Sequence, residues 1–239
     1  TADLASSLVD DYHKLPVERV REEWVKWALK SVKPSRGMEF LLATGWLQHF
    51  GHLNNLVGTI QDPTWHPEGD AFVHSVLAAD VMRDVLTRDG VEDTDKQIYL
   101  MLAALCHDLG KPETTETRED GRITSYNHAQ VGARNAPAFL ESFGFTPKHI
   151  DHVVPLIKEH MCHIDWRRKF PSAKALRKAS IRLAPATIEE LFWIFEADVS
   201  SRPPLTPDPK MYEVIDKARR LGVFEGQLQP LIFGRHVLE

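Results

Sequence analysis

Apolar residues recur along this chain at helical spacing and almost nowhere alternate in twos. A period near 3.6 residues predicts helices throughout with little or no sheet, so the expected fold class is all-α. A first helix is expected from Pro16, with Val17, Val20, Trp24, Trp27 and Ala28 on its inner stripe and charges between them. A second is expected after Pro34-Ser35, through Leu42. Residues 58 to 70 hold two prolines and two glycines, the mark of an ordered loop leading into the next helix. That loop sets a boundary between an N-terminal helical subdomain, residues 1–60, and a main bundle, residues 61–205. A C-terminal helical extension, residues 206–239, completes the division.

In the main bundle, the segment from Ala71 to about Arg88 places His74 on one face with Ala78, Val81 and Val85. The next helix, Gln97 to Leu109, has no polar side, which predicts burial all round. It carries His107-Asp108 in its last turn, and Gly110 followed by Pro112 predicts a helix stop there. Residues 113 to 124 are polar and acidic and are expected to form a mobile loop. Helices are then expected from His128 to Phe143, where Pro137 can introduce a kink, and from Thr146-Pro147 to about Ile164, with His160 on the inner stripe. Further helices are expected over Ser172–Leu183, over Thr187–Val199 with Asp198 facing inward, and over Lys210–Leu221, before an irregular end. The six tryptophans fall mostly within apolar stripes and are read as core.

Length and composition allow this fold without staples: 239 residues, 43% hydrophobic, are ample for a core. The two cysteines, Cys106 and Cys162, lie apart in helical segments, which excludes a disulfide framework or a knotted zinc site and points to a reducing, cytoplasmic setting. No apolar run reaches the roughly 20 residues of a membrane span, and no signal pattern opens the sequence, so no membrane partner is expected. A net charge of −5 confines any nucleic-acid contact to a local patch. The opening Thr1 and the closing Val237-Leu238-Glu239 suit either a vector junction or an excised fragment.

Four histidines and two aspartates on buried helix faces or ends leave too many polar groups for an apolar core to hold unpaired. A metal site is the simplest solution, and nitrogen with carboxylate oxygen suits a divalent first-row ion. The plain alternative is a buried hydrogen-bond network in a degenerate site. His149, His152 and His163 lie near His160, and helical angles put His152 and His163 at the margin of the inner face, which suits solvent or supporting roles. His66 either lines the site or pins its loop. Lys174, Arg177, Lys178 and Arg182 share one side of a helix, close after Arg167-Arg168-Lys169; they are either an RNA-phosphate surface or a solvated face. Asp93-Thr94-Asp95 precedes a helix and reads as capping.

The order His74, His107-Asp108 with Gly110-Lys111, His128, His160 and Asp198 resembles the HD superfamily of metal-dependent phosphohydrolases. A further likeness covers most of the chain. Leu15-Pro16-Val17-Glu18-Arg19-Val20, Arg36-Gly37-Met38-Glu39-Phe40-Leu41, the stretch from Gln61 to Asp70, and Glu196-Ala197-Asp198 resemble the neck and HD regions of bacterial CCA-adding tRNA nucleotidyltransferases. Their catalytic head, with its Gly-Ser turn and Asp-x-Asp pair, has no counterpart here, so nucleotide addition is not expected.

The resemblance implies that His74, His107, Asp108 and Asp198 are the core ligands, that His128 and His160 extend them to a two-metal site, and that Asp108 bridges the ions. It implies one or two divalent ions (nickel, manganese, cobalt, magnesium or iron) and a metal-activated water as nucleophile. Asp108 is then central to catalysis, and Lys111 and Arg202 are candidates to meet a substrate phosphate, although Lys111 can equally serve the carbonyl end of its helix. The expected activity is a phosphomonoesterase or 2′,3′-cyclic phosphodiesterase acting on nucleotides or RNA ends, with tRNA as a possible partner. Two alternatives stand beside it: an RNA-binding HD portion of a split or truncated nucleotidyltransferase, and a di-iron oxygenase built on the same ligand types.

Overall fold

The computed structural model describes residues 2–227 and is helical apart from one short hairpin. The expected irregular end beyond residue 227 lies outside the described residues. In chain order the helices are α1 (Ala2–Ser7), α2 (Val17–Lys30), α3 (Ser35–Ala43), α4 (Gly51–Asn54), α5 (Ala71–Arg88), α6 (Thr94–Cys106), α7 (Lys111–Thr114) and α8 (His128–Ser142). They continue as α9 (Pro147–Glu159), α10 (Cys162–Arg168), α11 (Ala173–Leu183), α12 (Ile188–Ser200) and α13 (Lys210–Arg220). Two turns of 3-10 helix, Val9–Lys14 and Trp46–His49, join the first elements.

Helix α6 is the axle. Every residue from Ile98 to Cys106 is buried, and α2, α5, α9 and α12 pack around it, so its all-apolar surface has a partner on each side. One continuous core runs from Trp24 and Trp27 through Phe50 and Phe143 to Leu191 and Phe195. Trp24 stacks on Phe143 at 5.0 Å and meets Phe50 edge-on at 5.1 Å, which ties α2 to the end of α8. Asp93 caps α6 by accepting from the Lys96 amide. Thr187 and Glu190 form a reciprocal capping box at the start of α12, fixing the entry of the helix that carries Asp198.

Four local expectations need correction. Residues 113–124 are not irregular: α7 is followed by an antiparallel hairpin of β1 (Thr115–Thr117) and β2 (Ile123–Ser125), with Thr115 opposite Ser125. Their hydroxyls bond at 2.7 Å, and Gly121, at φ 80°, turns the chain between the strands. The helix expected to run on to Ile164 breaks after Glu159 and restarts at Cys162. His160 Nδ1 donates to the Ile157 carbonyl at 2.6 Å, the oxygen to which the next amide would bond in an unbroken helix. His107 does the same at the end of α6, binding the Ala104 carbonyl at 2.8 Å; it is the cap residue, and Asp108 lies beyond the helix.

Gly110 is the fourth correction. Its φ of −86° is ordinary right-handed backbone, and Pro112 lies in the first turn of α7 rather than ending α6. A Cβ at Gly110 would fall 2.1 Å from the His128 carbonyl oxygen and 2.5 Å from the Gly132 nitrogen. Glycine is needed here because two backbones touch, and that contact brings the His107-Asp108 corner against the start of α8. Among the tryptophans, Trp65 also departs from expectation: it is 57% exposed.

Truncating Trp24 to alanine should lower stability by about 3–5 kcal/mol, the usual cost of emptying a buried aromatic site. Urea denaturation of the purified variant checks it; a loss below about 1 kcal/mol would show that the α2–α8 contact is peripheral to the core.

Candidate metal centre

All six residues expected as ligands meet at one place. His74 comes from α5, His107 and Asp108 from the end of α6, His128 from the start of α8, His160 from the end of α9 and Asp198 from α12. All six are buried. His74 Nε2 lies 3.1 Å from His107 Nε2, 3.1 Å from Asp198 Oδ1 and 3.6 Å from Asp108 Oδ2. On the other side of Asp108, Oδ1 lies 3.3 Å from His128 Nε2 and 3.9 Å from His160 Nε2. Those two histidine nitrogens are 3.1 Å apart. Asp108 therefore stands between two clusters with one oxygen turned to each.

The far side of each ring settles what the near side offers. Nδ1 of His107, His128 and His160 contacts the carbonyl oxygens of Ala104, Ser125 and Ile157, at 2.8, 2.6 and 2.6 Å. Nδ1 of His74 contacts Glu68 Oε1 at 2.8 Å, with Ser201 Oγ at 3.2 Å. A carbonyl can only accept, so Nδ1 carries the proton and the neutral ring presents a lone pair at Nε2. Two pairs of lone pairs then face each other at 3.1 Å beside two buried carboxylates, an arrangement that a shared cation relieves.

The protonation tendencies of His128 and His160 agree with this picture. Burial holds His160 well below the usual imidazole range, with His128 and His107 adding to it, and burial lowers His128 too. Asp108 resists its burial because His107 and Lys111 hold its carboxyl well down; Arg202 and His74 do the same for Asp198. For His107 burial acts downward but is outweighed by Asp108, so its pKa rises. The site draws in positive charge. Four nitrogens and two carboxylates fit divalent metal, and no cysteine is involved.

The remaining candidates separate by position. Lys111 is buried, with Nζ 2.6 Å from Asp108 Oδ2 and 2.5 Å from Gln61 Oε1; it is directed at the centre rather than at the end of a helix. Arg202 binds Asp198 twice, Nη2 to Oδ1 at 3.2 Å and Nε to the main-chain oxygen at 3.1 Å. Both line a cavity of about 1120 Å³ that opens onto Asp108, His128, His160 and Asp198. His163 is on its wall, whereas His152 pairs with Glu190 at 3.1 Å, away from the centre. Lys174, Arg177 and Lys178 are exposed on α11 outside the cavity, and Arg182 is exposed but held by Glu159.

Glu68 is the residue that sequence reasoning missed. Its Oε1 also lies 2.8 Å from His66 Nδ1, so one carboxylate orients both rings. Burial would raise its pKa, but the bonds from His66 and His74 prevail and hold it at about 2. His66, desolvated, falls to about 4 and is neutral. The loop bearing both is latched at its ends: Asp70 caps α5 through the Val73 amide and also accepts from Gly58 at 2.7 Å. A carboxylate shortly before an inward histidine is the available signal, since a ligating imidazole needs an acceptor on its second nitrogen.

The HD domain family matches residues 71–201, a span that includes all six converging residues. The chain belongs to the HD family. HD domains bind divalent metals, which accords with the donor set described above. Among curated proteins it is similar to a multifunctional CCA protein of Laribacter hongkongensis, 29% identical over 92% of this chain and 52% of the relative. It is also similar to a CC-adding tRNA nucleotidyltransferase of Thermus thermophilus, 31% identical over 76% of this chain and 38% of the relative. An A-adding tRNA nucleotidyltransferase of Deinococcus radiodurans is 32% identical over 62% and 32%. The chain thus spans about half or less of the length of these relatives, and what matches is their HD region. No helix among the described residues is long and apolar enough to cross a membrane.

Two outcomes follow for this HD centre. Glu68→Gln should weaken divalent-metal affinity about 10- to 100-fold while leaving the fold intact; titration calorimetry with manganese measures it, and unchanged affinity would remove Glu68 from the centre. Gly110→Ala must separate two touching backbones, which should cost at least about 1–3 kcal/mol and lower metal stoichiometry together with the denaturation midpoint.

Proposed function

We propose that this chain is a metal-dependent phosphohydrolase that cleaves a phosphomonoester or a 2′,3′-cyclic phosphodiester on a nucleotide or an RNA end. The observation that carries the proposal is Asp108, buried between two histidine clusters with one oxygen toward each. His74, His107, Asp108 and Asp198 would hold one ion, and Asp108, His128 and His160 a second. When bound, such ions supply Lewis acidity toward a phosphoryl oxygen and toward water.

The chain's own groups do the rest. The Nδ1 anchors keep four lone pairs aimed inward, so little reorganisation is needed when charge develops. Lys111 and Arg202, each tethered to a ligand carboxylate, place positive charge on the cavity wall where phosphate oxygens would lie. Arginine there offers a forked donor set matched to phosphate. The apolar packing of α6 behind the centre keeps water from its back, which strengthens each of these interactions. Nickel, manganese, cobalt and magnesium suit this reading. The same donors would take iron, and an iron-bearing protein with oxygen-dependent absorption would move the reading to oxidation.

A second reading rests on α11 and on the relatives' names. Lys174, Arg177 and Lys178 are exposed there, and two of the relatives are tRNA nucleotidyltransferases by name. On this reading the chain is the RNA-binding HD portion of a nucleotidyltransferase. Reversing Lys174 and Arg177 to glutamate should then weaken tRNA binding about tenfold and flatten its salt dependence. Filter binding at two salt concentrations decides it: if neither changes, the basic face is only a solvated one.

For the hydrolase reading, protein purified without chelators should hydrolyse members of a phosphoester panel in the presence of these metals. His107→Ala and Asp108→Ala should each fall to background while remaining folded by circular dichroism. A metal-replete sample inert across the panel would overturn the reading.

A further inference from the structure

The cavity is much larger than a phosphoryl group. At about 1120 Å³ it exceeds the usual range for small-molecule sites, roughly 300–1,000 Å³, so something beyond the scissile phosphate belongs in it. The rim beside Lys111 and His128 is formed by two segments, the loop Gln61–His66 and the strand β2 with its flanking residues Arg122 and Tyr126, each of which lines the cavity. Each presents one large aromatic ring: Trp65, 57% exposed, and Tyr126, 68% exposed. Neither is used by the core or by the candidate metal centre.

The backbone that carries both rings is anchored. Trp65 adjoins His66, which is bonded to Glu68 and through it to His74. The Trp65 amide donates to Asp62 at 3.0 Å, and the Gln61 side chain bonds both Gly69 and Lys111. Tyr126 precedes Asn127, whose left-handed φ of 63° turns the chain into α8 one residue before His128. Arg118 sits over the Tyr126 ring at 5.8 Å. Two flat apolar faces, each one or two residues from a group geared to the centre, are kept in water at a cost that a stacked ligand would remove.

We propose that Trp65 and Tyr126 form a stacking site for the nucleobase of the substrate, so that the HD centre takes nucleotides in preference to base-free phosphoesters. The assignment rests on the phosphohydrolase reading for its orientation, with phosphate at the centre and base at the rim. An exposed aromatic face suits a planar ring with a π surface of its own, and stacking of this kind tolerates any base because each has such a face.

The test is calorimetric and needs no turnover. Manganese-loaded protein is titrated with adenosine, which has a base and no ester to cleave, with ribose, which has no base, and with inorganic phosphate. Adenosine should bind and ribose should not. Trp65→Ala and Tyr126→Ala should each weaken adenosine roughly 5- to 100-fold, Trp65→Phe should restore most of the loss, and phosphate affinity should not follow. The proposal is overturned if adenosine fails to bind the native protein, if ribose binds as well, if the double variant binds adenosine normally, or if phosphate affinity falls in step. Hydrolysis of the phosphoester panel by the native protein is read separately: an inert panel with intact adenosine binding defeats the hydrolase reading alone, and an active panel with indifferent adenosine binding defeats this one alone.

Discussion

The centre depends on where four imidazole protons sit. Each histidine has its Nδ1 against an acceptor, three times the main-chain carbonyl three residues earlier and once the Glu68 carboxylate. Those bonds fix the tautomer, orient the ring and leave Nε2 bare toward the middle. They also shape the fold. By taking the Ala104 and Ile157 carbonyls, His107 and His160 end α6 and α9 where the ligands must turn inward. One type of hydrogen bond therefore ends two helices and prepares a donor set.

The helices were legible because burial imposes its period directly on the sequence. The stripe of His74, Ala78 and Val85 and the all-apolar run of α6 could each be read from local spacing, since all that mattered was which side faces the core. The same logic placed six polar residues inward, and a resemblance to a family grouped them. What remained hidden was made by partners distant in sequence or by side-chain-to-backbone bonds. Nothing near Gly110 reveals that the His128 carbonyl will lie against it. The Thr115–Ser125 pairing turns a polar stretch into a hairpin, and composition alone reads such a stretch as loop. Lys111 could be placed near the site but not aimed, because its direction is set by Gln61, fifty positions away.

Charge is arranged in layers around the cavity. The two aspartates face the histidines, and each is partly balanced by a cation on its outer side, Lys111 for Asp108 and Arg202 for Asp198. Net acidity of the whole chain therefore says little about what the cavity attracts. The HD match and the partial-length relatives fit this core, while the rim of the cavity includes a separate loop and the hairpin strand β2.

The latched loop from Gly58 to Asp70 has a consequence for how such a protein can change. One closed segment carries a brace for the inner histidines, through Glu68, and an outward-facing ring, Trp65, at the cavity edge. Single replacements at its outer positions change the cavity edge without touching the brace, because the closure at Asp70 anchors the inner half. Lengthening or shortening it would move both halves together, so variation in this lineage should proceed there by exchanging side chains and not by altering loop length.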